Sequence, residues 1–276
     1  MPKIPTVLEL LQAGVHFGHK SSRWHPKMEP YLFGKRNGIH VIDLDRTLEK
    51  LNQALDYARD TASRGGTILF LGTKRQAQDI IRKNAEKCGM PYVTRRWLGG
   101  TLTNFGEVYR LVKRYNDLRD QQKSGDWNKK YTKKEQVRLT KEIAELEVKV
   151  GGMSGIIRIP DVVFIVDIKK EKTALEEANS KGIPVIALTD SNVNPERVAY
   201  PIPSNDDAVK AIEIMVRLIG EAVGEGREMR QKTQPDAVPA KAVPVGHGDQ
   251  PIRRVILKRK PAVAKDETEK SEKGDK

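Results

Sequence analysis

The feature that most constrains this chain is a set of short, almost wholly apolar runs separated by amphipathic stretches. TILFLG (67–72), PYVT (91–94), DVVFIVD (161–167) and IPVIALTD (183–190) are four to eight residues long, the length of a strand and too short for a buried helix. GIHVIDL (38–44) has the same character and is read as a further strand. A strand apolar on both faces must be covered on both, as in a parallel sheet lying between two layers of helices. The intervening segments supply those helices. Leu48, Leu51, Leu55, Ala58 and Ala62 recur at helical spacing, with Asp45 as a candidate cap and Gly65–Gly66 as a stop. RQAQDIIRKNAEKC (75–88) closes at Gly89, a helix over roughly 171–181 closes at Gly182, and Asp206–Asp207 precede a last helix. Val209, Ile212, Val216, Ile219 and Val223 lie on one face of that helix. Right-handed crossovers then predict an α/β fold with a doubly wound, Rossmann-like parallel sheet.

Three segments depart from the alternation. Thr6 and Glu9 form a capping box for a short helix, after which residues 15–38 carry Gly, Pro, aromatics and bases with no period and read as an ordered arm. Residues 106–150 show two successive helical stripes with no strand: Val108, Leu111, Tyr115, Leu118 and Gln122, then Leu139, Ile143, Leu146 and Val150. Narrow stripes on charged helices predict an antiparallel coiled-coil hairpin inserted in the sheet domain, with SGDWNKKY (124–131) as its turn and Thr132–Glu135 capping the second helix. Residues 227–276 carry no sustained period and read as a disordered basic tail, with five bases in IRRVILKRK (252–260). The predicted division is a discontinuous core of 1–105 and 151–226, a hairpin of 106–150 and a tail of 227–276.

Fifty Lys and Arg against 37 Asp and Glu give a net charge of +13, which favours polyanionic partners. A single cysteine, Cys88, excludes an internal disulfide framework and a four-thiolate zinc site. No secretory signal pattern is evident at the N-terminus, and the apolar runs are too short to span a bilayer. The expected location is the cytosol, away from membranes.

Enzymatic readings fare poorly against the spacing of residues. A dinucleotide or Walker turn requires glycines after a strand, whereas 38–44 is followed by Asp45–Arg46 and 67–71 by Gly72–Thr73–Lys74–Arg75. Asp43, Asp167 and Asp190 end predicted strands, where two carboxylates could hold magnesium, but with no recognisable nucleophile and base nearby capping and loop hydrogen bonding are the better reading. His16, His19, His25 and His40 raise the possibility of a structural zinc, against which stand Gly18 and the lack of a partnered carboxylate motif. The expectation is therefore no catalytic residue and no required cofactor. Bases interleaved with aromatics in irregular segments are more informative: Arg23–Trp24–His25–Pro26–Lys27, Phe33–Gly34–Lys35–Arg36 and Arg95–Arg96–Trp97. Cations bind phosphates, and aromatic or guanidinium planes stack on unpaired bases, which is the chemistry of RNA recognition. The hairpin turn adds Lys129 and Lys130 to this set of RNA-binding candidates.

Longer blocks carry a family resemblance. GVHFGH (14–19), RWHPKMEPYLFGKRNGIHVIDL (23–44), LFLGTKRQA (69–77), RRWLGGTLTNF (95–105), PDVVFIVD (160–167), GIPVIALTDSN (182–192) and IPSNDDAVKAI (202–212) resemble, in order, the blocks of the bacterial family of second proteins of the small ribosomal subunit. The resemblance runs from about residue 6 to 226. It implies a non-catalytic ribosomal constituent that binds small-subunit rRNA and neighbouring ribosomal proteins. Those neighbours include the multi-OB-fold first protein of the subunit, which gathers messenger RNA. Carried over by position, it implies His19, Arg23, Lys27, Lys35, Arg36, Arg95, Arg96 and Asn104 as RNA-facing residues. The competing readings are a nucleotide- or magnesium-dependent enzyme on the same layered fold, and a hairpin serving as an oligomerisation module. The self-contained seam argues against homo-oligomers.

Overall fold

The structure, a computed structural model, describes residues 3–125 and 127–233. Five strands form the predicted parallel sheet: β4 (Ile68–Leu71), β5 (Tyr92–Val93), β6 (Val162–Ile165), β7 (Val185–Thr189) and β8 (Tyr200–Pro203), in the order β5-β4-β6-β7-β8. Helix α3 (Gln78–Cys88) carries the chain from β4 to β5, and the next strand, β6, lies on the other flank of β4. The winding direction therefore reverses at the β4–β6 pair, so the loops after these two strands border a crevice at the carboxyl edge of the sheet.

Alternate residues of the strands build two separate cores. Ile68, Phe70, Val162, Phe164, Ile186, Leu188 and Ile202 pack under α2 (Leu44–Ser63), α3 and α8 (Val209–Thr233). Leu69, Leu71, Val163, Ile165, Val185 and Ala187 pack under α4 (Phe105–Lys123), α6 (Lys133–Val150) and α7 (Lys172–Lys181). Phe70 and Phe164 are directly paired in register and meet edge-to-face, with centroids 5.4 Å apart. Each such fully buried side chain contributes about 1.5–3 kcal/mol through removal of apolar surface from water. α2 and α8 approach so closely that a Cβ on Gly226 would lie 2.3 Å from the Arg59 carbonyl oxygen, so only glycine fits there.

Several details differ from the sequence-based expectation. Residues 38–44 do not join the parallel sheet. β3 (Ile39–Ile42) is the middle strand of a separate antiparallel sheet, between β1 (Phe17–Lys20) and β2 (Leu32–Arg36) of the supposed arm. The fifth parallel strand is instead β8, which no apolar run announces because it contains Pro201 and Pro203. Its place at the sheet edge explains the tolerance, since a proline there leaves no internal ladder bond unmade. Asp43, not Asp45, caps α2, its Oδ1 accepting from Asp45 N at 2.9 Å and Arg46 N at 3.4 Å.

The insertion contains α4 and α6, packed along each other, with a short helix α5 (Trp127–Lys130) in the turn. Both predicted capping boxes, at α1 (Val7–Gln12) and at α6, are formed. The first stripe is corrected at two positions: Val108, Val112, Tyr115 and Leu118 are buried, whereas Leu111 and Gln122 are exposed. Val112 takes the place of Leu111 in the same core as Leu69 and Val163 of the sheet. Helix α8 also runs past the predicted boundary at 226. Arg227 Nη1 donates to the Cys88 carbonyl at the end of α3, and the Arg230 guanidinium lies over Gly65 after α2. The remaining tail, with the basic run 252–260, lies outside the described residues.

Candidate functional site

At the reversal of winding, the carboxyl edge of the sheet gathers charge. The loop after β4 places Lys74 so that its Nζ lies 2.8 Å from Asp206 Oδ1, 2.7 Å from Asp207 Oδ1 and 3.0 Å from Asp167 Oδ2. Lys74 also donates to the Asp206 carbonyl at 2.9 Å. Burial resists its charge, but the surrounding carboxylates prevail and raise its pKa. Asp206 is 1% exposed. Desolvation, with Asp167 and Asp190 nearby, pushes its carboxyl up to about 7 despite Lys74. Asp167 follows β6 at φ 68°, a left-handed conformation costly for a non-glycine residue, and its Oδ1 accepts from the Lys169 and Lys170 amides at 3.1 and 3.0 Å.

The N-terminal arm is tied into this cluster. His19 Nδ1 lies 3.0 Å from Asp190 Oδ1, and its Nε2 lies 3.6 Å from Asp207 Oδ2. The hydrogen bond to Asp190 raises the imidazole pKa. His19 N donates to Ser191 Oγ at 2.7 Å, and His25 N donates to the Ser191 carbonyl at 2.8 Å. A cleft of about 250 Å³ opens among His19, Arg23, Lys74, Asp167, Asn192 and Asp206. Ligand atoms of His19, Asp206 and Asp207 lie within 4.8 Å of one another, so a divalent cation could compete with Lys74 for these carboxylates. The four predicted histidines do not converge. His16 meets the Phe17 ring in a tilted contact, His25 accepts from Lys27 N, and His40 stacks on Trp24.

This geometry answers the two enzymatic readings of the crevice. No glycine-rich phosphate turn follows β4, and the Lys74 ammonium, which would have to meet a phosphate, is held by three aspartates. Asp43 is a helix cap, while Asp167 and Asp190 serve the internal charge network. Lys74, Asp206 and Asp207 gave no signal as a set, because they are brought together by topology and not by spacing.

The remaining site candidates are mostly surface cations. Lys35 and Arg36 are exposed on β2, with Lys35 Nζ 5.9 Å from the centre of the Trp24 ring. Lys27 pairs with Glu196 at 2.8 Å. Arg23 borders the cleft beside His19. Arg95 and Arg96 are exposed in the loop after β5, whereas Trp97 beside them is buried, as a core anchor. Asn104 precedes α4 and is exposed, making no side-chain cap there. Lys130 is exposed in α5, and the Lys129 side chain lies outside the described atoms. Among the described residues, Arg23, Lys35, Arg36, Arg95, Arg96 and Lys130 make no ion pair. Cys88 is buried, its thiol pushed up to about 11 by desolvation.

One residue gave no warning in the sequence. Glu177, on α7, is 8% exposed and accepts five hydrogen bonds from the loop that follows Arg95 and Arg96. Its donors are Trp97 Nε1 at 3.0 Å, Gly100 N at 2.8 Å, Leu102 N at 2.9 Å, and Thr103 N and Oγ1 at 3.2 Å each. Desolvation opposes its charge, but these bonds outweigh it and lower the pKa.

Fold and site together define a layered α/β protein whose strand-end crevice is occupied by its own charges, while Arg23, Lys35, Arg36, Arg95 and Arg96 make no ion pair among the described residues. The family model for ribosomal protein S2 matches residues 10–226. The small ribosomal subunit protein uS2 of Coprothermobacter proteolyticus is 47% identical over 228 residues, covering 83% of this chain and 85% of that protein. Those of Acidothermus cellulolyticus (44% over 256 residues, 90% and 92% covered) and Dictyoglomus turgidum (48% over 224 residues, 81% and 91% covered) are similar in the same way. The chain belongs to the ribosomal protein S2 family, a family of ribosomal structural proteins and not of enzymes.

Proposed function

We propose that this protein is a structural constituent of the bacterial small ribosomal subunit in the cytoplasm, gripping folded rRNA and bridging it to neighbouring ribosomal proteins. The observation that carries this reading is the division of charge. The half-buried Lys74 is neutralised internally, while Arg23, Lys35, Arg36, Arg95 and Arg96 sit exposed on irregular or edge segments without carboxylate partners among the described residues. Unpaired surface cations around a rigid core neutralise phosphates without demanding a base sequence. The arm and the loop after β5 supply the principal contacts, with His19, Lys27 and Asn104 alongside them. The α4–α6 insertion acts as a coiled-coil hairpin that carries Lys129 and Lys130 away from the core toward RNA. Docking of the multi-OB-fold first protein of the subunit belongs to the same reading, as does a monomeric free state.

The test is co-sedimentation with small subunits on high-salt gradients. The unaltered chain should run with the subunit peak, and Arg95→Glu/Arg96→Glu should reduce its share there several-fold. Full retention of the double variant would remove these arginines from the interface.

A further inference from the structure

The loop 95–105 must hold two unpaired arginines in a fixed place, yet it contains two glycines and little regular structure. Its order comes from a side chain on another element. Glu177 accepts two backbone N–H groups and a hydroxyl of Leu102–Thr103 with one oxygen, and the Trp97 indole N–H and the Gly100 N–H with the other. Thus one buried carboxylate closes the loop upon itself immediately after Arg95 and Arg96. Trp97 adds a second anchor, its ring in the core beneath α4, α6 and α7. At Gly100 the backbone takes φ 90°, which turns its N–H toward the carboxylate and is open to glycine almost alone.

We infer that Glu177 is a positioning residue for RNA binding: it touches no RNA itself and acts by pre-organising the arginine loop before the polyphosphate arrives. The inference rests on the proposed function above, because the loop matters only if Arg95 and Arg96 grip phosphates. Pre-organisation works by removing the ordering cost that a loose loop would incur on binding. A carboxylate is required because all five partners are donors. An amide in its place offers one acceptor oxygen and turns an NH₂ group toward N–H groups that need an acceptor.

The experiment compares the full-length chain with Glu177→Gln, Arg95→Ala/Arg96→Ala and the combined variant. It measures filter binding to purified small-subunit rRNA across a salt series, with Trp fluorescence and melting temperature recorded for each. Expected for Glu177→Gln is a roughly tenfold weaker affinity at a temperature where the chain stays folded. The salt slope should be shallower by about 1.4–1.8, the share of two phosphate contacts. If Glu177 acts through the arginines, the combined variant should bind no worse than Arg95→Ala/Arg96→Ala. A purely structural role would lower the melting temperature and leave the slope of the folded protein untouched.

Should Glu177→Gln fail to fold, Trp97→Phe and Thr103→Val each delete one of the five bonds and keep the carboxylate, and a smaller loss of the same kind is expected from each. Unchanged affinity and slope in the folded Glu177→Gln protein, or in both single-bond variants where it does not fold, would overturn the inference while the arginine double variant still showed its loss. Unchanged binding by Arg95→Ala/Arg96→Ala would instead overturn the assignment of these arginines, and this inference with it.

Discussion

Removing the Lys74 ammonium would leave Asp167, Asp206 and Asp207 facing one another with no cation between them. Breaking a desolvated ion pair from one side costs about 3–5 kcal/mol, and Lys74→Met should lie near the lower figure because Asp207 is half exposed. The loss should depend on pH. Asp206 has a folded pKa near 7, raised from 3.8, so folding takes up a proton between those values, and its contribution is full at low pH and falls as pH rises toward 7. His19, raised by Asp190, acts in the same direction: its contribution is complete below about 6.5 and disappears as pH climbs through the raised value. Urea denaturation should therefore find Lys74→Met closer to the unaltered protein at pH 5 than at pH 8. An equal deficit at both would mean the cluster is not electrostatically coupled. At this scale the sequence exposed Asp167 and Asp190 as strand-end carboxylates and Arg95 and Arg96 as free cations. It concealed Glu177, one acid among several on an amphipathic helix, because its donors lie more than seventy residues earlier in the chain.

Among elements, α4 and α8 offer the sharpest tests of register. Val112→Asp would bury a carboxylate without a partner among Val108, Tyr115 and Ile143, whereas Leu111→Asp would place it in water. The first should destabilise the protein by several kcal/mol in chemical denaturation, and the second by about 0.5 kcal/mol or less. Equal effects would return the seam to the strict stripe drawn from spacing alone. For α8, truncation after Thr233 should leave the melting temperature nearly unchanged, because the core-facing period ends before it. Truncation after Gly226 removes Arg227 from the end of α3 and Arg230 from the end of α2, and calorimetry should register a drop of several degrees, about 1–2 kcal/mol for two lost helix-end contacts. Legibility followed burial. β4, β6 and β7 were found because both faces are covered and all their residues but Thr189 are apolar, while β8 hid behind its prolines and β1 and β2 behind their exposed, basic surface.

Across the whole molecule, the +13 charge and a crevice whose lysine is paired with its own aspartates separate long-range attraction from internal stability. Affinity for rRNA should fall steeply with salt, with a log–log slope of roughly −4 to −5 if about six exposed cations each neutralise one phosphate. Melting of the free protein should move little over the same range, since Lys74, Asp167 and Asp206 are largely shielded from solvent ions. A flat binding curve would contradict the proposed role, whatever the affinity. No helix among the described residues is long and apolar enough to cross a membrane.

By itself the sequence determined the layered α/β class, the helix between β4 and β5, the inserted helical pair and the surplus of cations on irregular segments. Each of these is a local matter of period, run length or composition, and local patterns survive in one dimension. The tertiary structure decided which strand completes the sheet, that Lys74 is spent on three aspartates, and that a glutamate on α7 holds the arginine loop. Those are contacts between residues far apart in the chain, chosen by the winding of the sheet and by the need of every buried charge and donor for a partner.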